Sequence, residues 1–256
     1  MYRYERPVQA GATTASTPEA WAANFASATK LNRLRRWRFA HSLETKLIRR
    51  HLPAGSKIID AGCGFGDWVT FLNGLGYRAV GVDYSDELIQ RLREAYPEGE
   101  WVQTDIRAMP YPEAAFDGII SWGVVEHDEA GPGAALREFH RLLRPEGVAI
   151  VTVPVDSAIT RRACEVFEHE PGKEHAFFQY NLSREELRTE MTNAGFEVLE
   201  IGSMPVAHIA FVAPKFARRL RGQAFRFLNL AVHVLMSWMK RYHVMIYVVA
   251  RKPSMR

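Results

Sequence analysis

The stretch Ile58-Ile59-Asp60-Ala61-Gly62-Cys63-Gly64-Phe65-Gly66 decides how the rest of the chain is interpreted. Its short apolar run ends in an acid and is typical of a buried parallel strand. Glycines then occupy every second position, which allows a tight turn whose backbone can approach a ligand that a side chain would obstruct. A helix can begin just after the turn, at Asp67. Together these features predict a nucleotide-type ligand site at the carboxyl end of a sheet strand.

From Lys57 to Val153 apolar runs alternate with amphipathic segments, which predicts alternating strands and helices. The predicted strands are Lys57–Ala61, Arg78–Val82, Glu100–Thr104, Phe116–Ser121 and Gly147–Val153, and the predicted helices are Asp67–Leu75, Ser85–Ala95 and Ala134–Leu143. This order is typical of a doubly wound α/β fold with a mostly parallel sheet and right-handed crossovers. Later in the chain, Ser183 and Glu186 form a capping box that opens another helix.

Charge is distributed unevenly along the 256 residues. Residues 1–51 carry ten basic and three acidic side chains, and residues 201–256 carry ten basic and no acidic ones, although the net charge is only +4. Basic ends around an acidic middle can mark a nucleic-acid, membrane or phosphate partner, or can simply pack over the acidic body. Two cysteines argue against a disulfide framework, and no leader pattern is visible, so we expect a cytoplasmic protein.

The spacing of the glycines distinguishes between nucleotide ligands. A dinucleotide-binding turn needs its third glycine five positions after the first, whereas Gly66 follows Gly62 by four positions and Asp67 stands where that glycine would be. Asp83 ends the second predicted strand, 17 residues after Gly66, where an acid can bind two ribose hydroxyls. An adenosine-type ligand is therefore favoured over a dinucleotide.

Six motifs follow one another in this region, namely Ile58–Gly66, Val80–Asp83, Thr104–Ile106, Phe116–Ser121, Val125–His127 and Leu142–Gly147. In this order they resemble the motifs of class I S-adenosylmethionine-dependent methyltransferases of the small-molecule type. The resemblance implies a Rossmann-like methyltransferase fold with a seven-stranded, mostly parallel sheet, whose last strand, here Tyr242–Arg251, runs antiparallel. It also implies S-adenosyl-L-methionine as the cofactor.

The resemblance assigns roles to residues at the ends of the predicted strands. It implies that Asp60 and the glycine turn surround the methionine part of the cofactor, and that Asp83 holds the ribose hydroxyls. Tyr84 and Asp105 would lie at the adenine ring. In chain order, the expected cofactor contacts are Asp60, Gly62, Cys63, Gly64, Gly66, Asp83, Tyr84, Asp105, Ile106, Ser121 and Trp122. This set agrees with the preference of a cationic sulfonium for carbonyl, carboxylate and aromatic neighbours.

Three residues are candidates for the catalytic base that would remove a proton from a hydroxyl acceptor. His127 follows the fourth predicted strand on the cofactor side, while His175 and Tyr180 lie in a later insertion, where substrate loops of this fold tend to lie. The alternative for His127 is a loop residue that hydrogen-bonds the backbone. For His175 the alternative is an exposed loop position.

The acidic and histidine side chains around this insertion do not form a recognisable metal site. Six of them could in principle assemble around a divalent ion: Asp128, Glu168, His169, Glu170, Glu174 and His175. Their spacing matches no known ligand signature, however, and acidic surface loops are common. We therefore predict no metal site.

We predict two parts in the chain, an N-terminal helical cap over residues 1–52 and a methyltransferase domain over residues 53–256. Residues 1–17 contain a run of small polar side chains and are expected to be mobile. A first helix can start at Thr17, and a second is expected to direct Trp37 toward the core. Within the domain, residues 155–181 form a polar, acceptor-side insertion without a clear period.

Residues 206–241 are predicted to form an apolar and basic helical arm. Its uncharged run, Phe227–Met239, is 13 residues long, which is too short to span a bilayer. The basic residues around that run suit a peripheral contact with an anionic membrane. The alternative is a helix that is buried against the sheet, against a dimer partner or over the acceptor pocket. Nucleic acid is not expected, because no RNA-binding module is visible.

The sequence thus predicts an enzyme that transfers a methyl group from S-adenosylmethionine to an oxygen of a small or lipid-linked metabolite. The alternatives are a non-catalytic S-adenosylmethionine-binding or scaffolding protein and a methyltransferase that acts on RNA. Ser121–Val124 stand where the resemblance would place Asn/Asp-Pro-Pro-Tyr/Phe in an enzyme that methylates the amino groups of nucleobases or glutamine. That difference argues against such acceptors.

Overall fold

The computed structural model describes residues 1–8, 17, 31, 33–162, 174–204 and 243–254. Its helices and strands agree with those predicted between Lys57 and Val153, with ends that differ by a few residues. In chain order they are β1 (Tyr2–Pro7), α1 (Arg33–Ala40), α2 (Leu43–His51), β2 (Lys57–Ala61), α3 (Asp67–Asn73), β3 (Arg78–Asp83), α4 (Asp86–Ala95), β4 (Glu100–Gln103), β5 (Phe116–Trp122), a 3₁₀ turn (Val125–His127), α5 (Gly133–Leu142), β6 (Leu143–Pro154), β7 (His175–Asn181), α6 (Arg184–Asn193), β8 (Glu197–Ser203) and β9 (Met245–Arg251).

Seven of these strands form one sheet in the order β4-β3-β2-β5-β6-β9-β8. β9 is antiparallel to its neighbours β6 and β8, and the other pairs are parallel. The predicted mostly parallel, seven-stranded sheet with an antiparallel last strand is therefore confirmed. Because β2 has β3 on one side and β5 on the other, the strand order reverses there, and a crevice opens at the carboxyl ends of these strands.

Different helices cover the two faces of the sheet, and the apolar run of β2 contributes to both. Ile59 belongs to the core that includes Phe139 of α5. Ile58 belongs to the opposite core, with Leu47 of α2 and Leu72 of α3. Successive side chains of a strand point to opposite faces, so a parallel strand that is covered on both sides needs an uninterrupted apolar run.

The indole of Trp101, on the edge strand β4, packs against glycines of the neighbouring strand and of the turn. A Cβ added at Gly81 would lie 2.6 Å from the ring, and one added at Gly66 would lie 2.5 Å from it. The ring is buried, and its Nε1 donates a hydrogen bond of 2.9 Å to the carbonyl of Tyr96. These glycines therefore leave room for a large side chain that packs directly against the glycine turn.

The first residues form a strand, so the expectation that residues 1–17 are mobile is wrong for Tyr2–Pro7. β1 pairs antiparallel with β7 in a separate two-stranded sheet. The ring of Phe178 packs edge to face on Tyr4, and the guanidinium of Arg6 lies 3.5 Å from the centroid of the Phe178 ring. Because the pairing partner lies far along the chain, no local pattern at the start of the sequence indicates this strand.

The predicted insertion, residues 155–181, is also more regular than expected, since its last seven residues form β7. Other predictions fall on parts of the chain that the structure does not describe. Residues 163–173 of the insertion, the predicted helix after Thr17 and the predicted arm of residues 206–241 lie outside the described residues.

α1 turns Trp37 outward, which corrects the expectation that this side chain faces the core. Trp37 is 61% exposed. The inner side of the helix carries Arg35, which forms a salt bridge with Asp67 of α3. It also carries Phe39, whose ring centroid lies 4.4 Å from that of Trp68. Positions 35 and 39 are about one turn apart, so position 37 lies on the opposite face.

We expect Gly81→Ala to lower the free energy of unfolding by about 1–3 kcal/mol, as overpacked core substitutions do. The new methyl group would overlap the Trp101 ring and lie 3.0 Å from Sγ of Cys63. Denaturant titration measures the change. In the double variant, Trp101→Leu should recover part of the loss, because it removes the ring that the methyl group meets. Losses that simply add would contradict this packing argument.

Candidate active site

A cavity of about 480 Å³ lies at the carboxyl ends of β2, β3, β4 and β5, and Phe177 of β7 also lines it. Eight of the predicted site residues line it: Gly62, Gly64, Asp83, Tyr84, Asp105, Ile106, Trp122 and His127. Eight further residues also line it: Arg107, Gly123, Val124, Val125, Asp128, Glu129, Ala135 and Phe177. The structure thus brings together residues that six separate segments of the chain supply.

The glycine turn forms one wall of the cavity through its backbone. Gly62, Gly64 and Gly66 have φ angles of +82°, +48° and +68°, which residues with a side chain rarely adopt. A Cβ at Gly62 would lie only 2.5 Å from the side chain of Val124. The predicted tight turn is therefore confirmed, since these backbone angles favour glycine, and the close approach of the turn to a ligand stays a prediction.

Asp83 lines the cavity at the end of β3 and is anchored by the backbone. Its Oδ2 accepts a hydrogen bond of 3.1 Å from the N–H of Gly64, and its Oδ1 accepts one of 3.0 Å from the N–H of Ser85. Burial raises the pKa of this carboxyl group, and the backbone N–H groups oppose that shift. The side chain is 6% exposed, so its remaining accepting capacity faces the cavity.

Asp60, Cys63 and Gly66 lie behind the cavity wall and do not line it. Asp60 is 1% exposed, and its Oδ1 has no hydrogen-bond partner among the described residues. Burial, together with the nearby charge of Asp83, raises the pKa of Asp60 to about 8, so this carboxyl group is mostly protonated at pH 7. Cys63 is a buried free thiol whose pKa is raised by burial, and it is therefore unreactive.

A charged bridge crosses the mouth of the cavity. Arg107 forms a salt bridge of 2.6 Å with Asp105 and one of 3.1 Å with Asp128, which follows the 3₁₀ turn. The Arg107 side chain lowers the pKa of Asp105. Asp105 therefore lines the cavity as expected, but Arg107 binds its carboxylate in this structure.

The end of β5 contributes Trp122 to the cavity, whereas Ser121 has a structural role. The Ser121 hydroxyl is fully buried and donates a hydrogen bond of 3.1 Å to the carbonyl of Ala61, which links β5 to β2. The Trp122 ring lines the cavity and packs on Trp68 of α3, with ring centroids 5.4 Å apart.

His127 lines the cavity and is also bonded to the backbone, as its alternative interpretation predicted. Its Nδ1 lies 2.7 Å from the carbonyl oxygen of Phe178, so Nδ1 carries the proton in that hydrogen bond. Burial lowers the pKa of His127 to about 4. The imidazole is therefore neutral at pH 7, with Nε2 as the unprotonated ring nitrogen.

His175 and Tyr180, the other two base candidates, do not line the cavity. His175 is exposed at the start of β7. The Tyr180 hydroxyl donates a hydrogen bond of 3.0 Å to the carbonyl of Glu129. Their neighbour Phe177 lines the cavity instead.

A buried carboxyl group that the sequence analysis did not single out, Glu126, lies beside the cavity. It is 1% exposed, and its Oε2 has no hydrogen-bond partner within the described part of the chain. Its Oε1 would lie 3.4 Å from a Cβ at Gly123, which lines the cavity. Burial raises the pKa of Glu126 to about 8, so it adds little charge to the wall at pH 7.

Metal-ligating side chains do not cluster in the described ranges, where no group of three or more His, Cys, Asp and Glu residues could hold an ion. Glu168, His169 and Glu170, three of the residues considered above, lie outside those ranges. The absence of a metal site therefore stays a prediction for the whole chain.

Comparisons with known proteins identify the family of this chain. Residues 31–201 match a family model described as a methyltransferase domain. A probable S-adenosylmethionine-dependent methyltransferase of Mycolicibacterium smegmatis is 30% identical over 173 residues, which cover 66% of this chain and 62% of that protein. The malonyl-[acyl-carrier protein] O-methyltransferase of Enterobacter lignolyticus is 31% identical over 179 residues, which cover 69% of this chain and 67% of that protein.

A solved structure is similar over nearly the whole chain. It is the 1,6-didemethyltoxoflavin-N1-methyltransferase of Burkholderia thailandensis with its substrate and S-adenosylhomocysteine bound, at a TM-score of 0.56 and 18% identity, covering 98% of this chain and 96% of that one. At such identity the likeness concerns the fold alone. The chain spans about half to three fifths of the length of the curated relatives that it first matches. Because the family model matches about two thirds of its residues, the chain belongs to the family of class I S-adenosylmethionine-dependent methyltransferases.

Proposed function

We propose that this protein transfers a methyl group from S-adenosylmethionine to an oxygen atom of a small or lipid-linked metabolite, in the cytoplasm. The observation that carries the proposal is the pairing of Asp83 with the Gly64 N–H at the wall of the cavity. An acid at the end of the second predicted strand of the sheet can accept hydrogen bonds from the hydroxyl groups of a ribose. The glycine turn beside it would let the rest of an adenosine-type ligand lie close to the backbone.

The residues of the turn fit this cofactor. The Val124 side chain leaves no room for a Cβ at position 62, so Gly62 can present only its backbone to the ligand. The Asp83 carboxylate can still accept hydrogen bonds from two ribose hydroxyls. We assign Tyr84 and Ile106 to the adenine ring, and Trp122 to the cofactor's sulfur. Asp105 would accept a hydrogen bond from the adenine amine while it keeps its salt bridge with Arg107.

We assign the acceptor to the apolar part of the cavity. Val125, Ala135 and Phe177 line it, and such walls exclude water and orient a bound molecule. S-adenosylmethionine supplies an activated methyl group on a sulfonium. The chain's own task is to align the acceptor and to accept its proton, for which we propose the neutral His127 at Nε2.

Two features support an oxygen acceptor that is small or attached to a lipid. The similar protein of Enterobacter lignolyticus is, by its description, an O-methyltransferase. A hydroxyl acceptor also suits a site whose neutral histidine can take a proton. Peripheral membrane contact through residues 206–241 remains part of the proposal, although these residues lie outside the described ranges. Among the described helices, none has the length and apolarity to cross a bilayer.

The decisive experiment is a labelled-methyl transfer assay of the protein with lipid, glycan and metabolite fractions of its host. We expect label in a lipid or small-metabolite product, in a form that shows methyl ether or ester chemistry. Label in RNA would favour the alternative acceptor. Tight binding of S-adenosylhomocysteine with no label in any fraction would favour a non-catalytic binding protein.

Asp83→Asn should weaken the binding of S-adenosylhomocysteine about 10- to 100-fold, because hydrogen bonds to a charged acceptor contribute about 1.5–3 kcal/mol each. Isothermal titration calorimetry measures the affinity. The matched control is Asp86→Asn, which changes an exposed acid on α4 and should leave the affinity unchanged. Equal affinities of the two variants would remove Asp83 from the cofactor site.

Binding of S-adenosylmethionine at pH 7 should release a fraction of a proton, and Asp60→Asn should abolish that release. Asp60 is mostly protonated in the free protein because its pKa is about 8, and a cation bound nearby stabilises the carboxylate, lowers this pKa and expels the proton. Calorimetry in buffers of different ionisation enthalpy counts the protons. Release that persists in Asp60→Asn but disappears in Glu126→Gln would assign the proton to Glu126 instead.

His127→Ala should reduce methyl transfer about 100-fold, the lower end of what a positioned base contributes, while S-adenosylhomocysteine affinity stays the same. Because the pKa of His127 is about 4, its ionisation should add no step to the pH profile between pH 5 and 9. His127→Asn separates the two roles, since its amide can donate to Phe178 but cannot take a proton. Full turnover in that variant would show that only the backbone hydrogen bond matters.

A further inference from the structure

The outward face of α1 forms a small surface that the proposed function does not use. We define the α1 patch as the exposed side chains of Arg36, Trp37, Arg38 and His41. Trp37, at 61% exposure, is the most exposed large hydrophobic side chain in the described ranges. Its ring packs on His41 with centroids 4.7 Å apart, and Nδ1 of His41 bonds to the Trp37 carbonyl at 2.8 Å. The indole is therefore positioned outward.

The electrostatics of the patch are one-sided. The sequence of α1, Arg-Leu-Arg-Arg-Trp-Arg-Phe-Ala, contains no acid. Arg35 is neutralised by Asp67 on the inner side of the helix, whereas Arg36 and Arg38 have no carboxylate within salt-bridge distance among the described residues. Arg38 lies beside the outward tryptophan, and Arg36 is exposed with its guanidinium near Gly74 at the C-terminal end of α3, so the surface is both positive and amphipathic. Such a surface is complementary to anionic headgroups over an apolar layer.

We infer that the α1 patch docks on an anionic lipid surface. Arginine side chains near an anionic leaflet are attracted electrostatically, and tryptophan is enriched at the boundary between headgroups and acyl chains. A single-stranded nucleic acid is the competing occupant. It usually needs several aromatic side chains in succession, on which consecutive bases stack, whereas the patch has one indole.

The same helix is packed onto the wall of the cavity. The ring of Phe39 lies 4.4 Å from that of Trp68, which lies 5.4 Å from that of Trp122, a cavity-lining residue. Docking through α1 would therefore bring the cavity close to the membrane, where a lipid-linked acceptor resides. The delivery of an acceptor to the cavity rests on the proposed function, but the binding of the α1 patch to lipid does not. That binding does not depend on the arm of residues 206–241 either.

Co-sedimentation of the full chain with vesicles tests the inference. We expect binding to phosphatidylglycerol/phosphatidylcholine vesicles, weaker binding at high salt, and little binding to pure phosphatidylcholine. Arg36→Gln with Arg38→Gln should weaken the partition about 25-fold, because each basic residue near an anionic surface contributes about fivefold. Trp37→Ala should weaken it about tenfold, since part of a large apolar surface no longer leaves water.

Matched controls remove the same groups elsewhere. Arg188→Gln changes an exposed arginine of α6, and Leu199→Ala changes an exposed apolar side chain of β8; neither should alter vesicle binding. Affinity for S-adenosylhomocysteine reports folding in every variant. The inference is overturned if the patch variants bind vesicles as the wild type does. That holds whether or not binding is lost in Arg218→Gln with Arg219→Gln, which changes two basic residues of the arm of residues 206–241. The inference is also overturned by a second result. In it, the wild type binds single-stranded RNA and the patch variants do not, while vesicle binding is absent in all of them or the same in all of them.

Discussion

The hydrogen bond of 3.1 Å from the Gly64 N–H to the Asp83 carboxylate joins the turn after β2 to the end of β3. A buried carboxylate needs donors, and this one obtains them from backbone N–H groups of the glycine turn and of Ser85. The turn can present its N–H only because Gly62 and Gly64 adopt positive φ angles. Strand end, turn and acid are therefore one unit, and the cavity wall depends on it.

Large aromatic side chains support that unit from two directions. Trp101 fills the space that Gly66 and Gly81 leave open. On the other side, the Trp122 and Trp68 rings connect the end of β5 to the first turn of α3 and onward to α1. Glycine and tryptophan are thus complementary in this protein, because the backbone can approach closely only where a rigid ring closes the space behind it.

Two kinds of group line the cavity. Acids and glycine backbone lie at the ends of β2 and β3 and after β4, whereas apolar side chains follow β5 and extend from α5 and β7. Arg107 pairs with two of the acids, Asp105 and Asp128. The wall near β7 also depends on the N-terminal strand, since Arg3 contacts both the carboxylate of Glu129 and the ring of Phe177. Segments that lie far apart in the sequence therefore shape one cavity.

The sequence by itself determined the parallel sheet and the glycine turn, because these features depend on local periodicity and on backbone geometry that only glycine permits. Eight residues of the cavity wall were predicted as well, mainly through the resemblance of the ordered motifs to a known family. The sequence did not reveal β1, since its partner β7 lies far along the chain, nor the outward direction of Trp37, since the inner face of α1 is set by contacts with Asp67 and Trp68. Only the tertiary structure decided that Phe177 lines the cavity and that burial keeps His127 neutral. Both features depend on which distant segments of the chain pack together. Local sequence patterns do not show that packing, and they do not show the burial that lowers the pKa of the histidine.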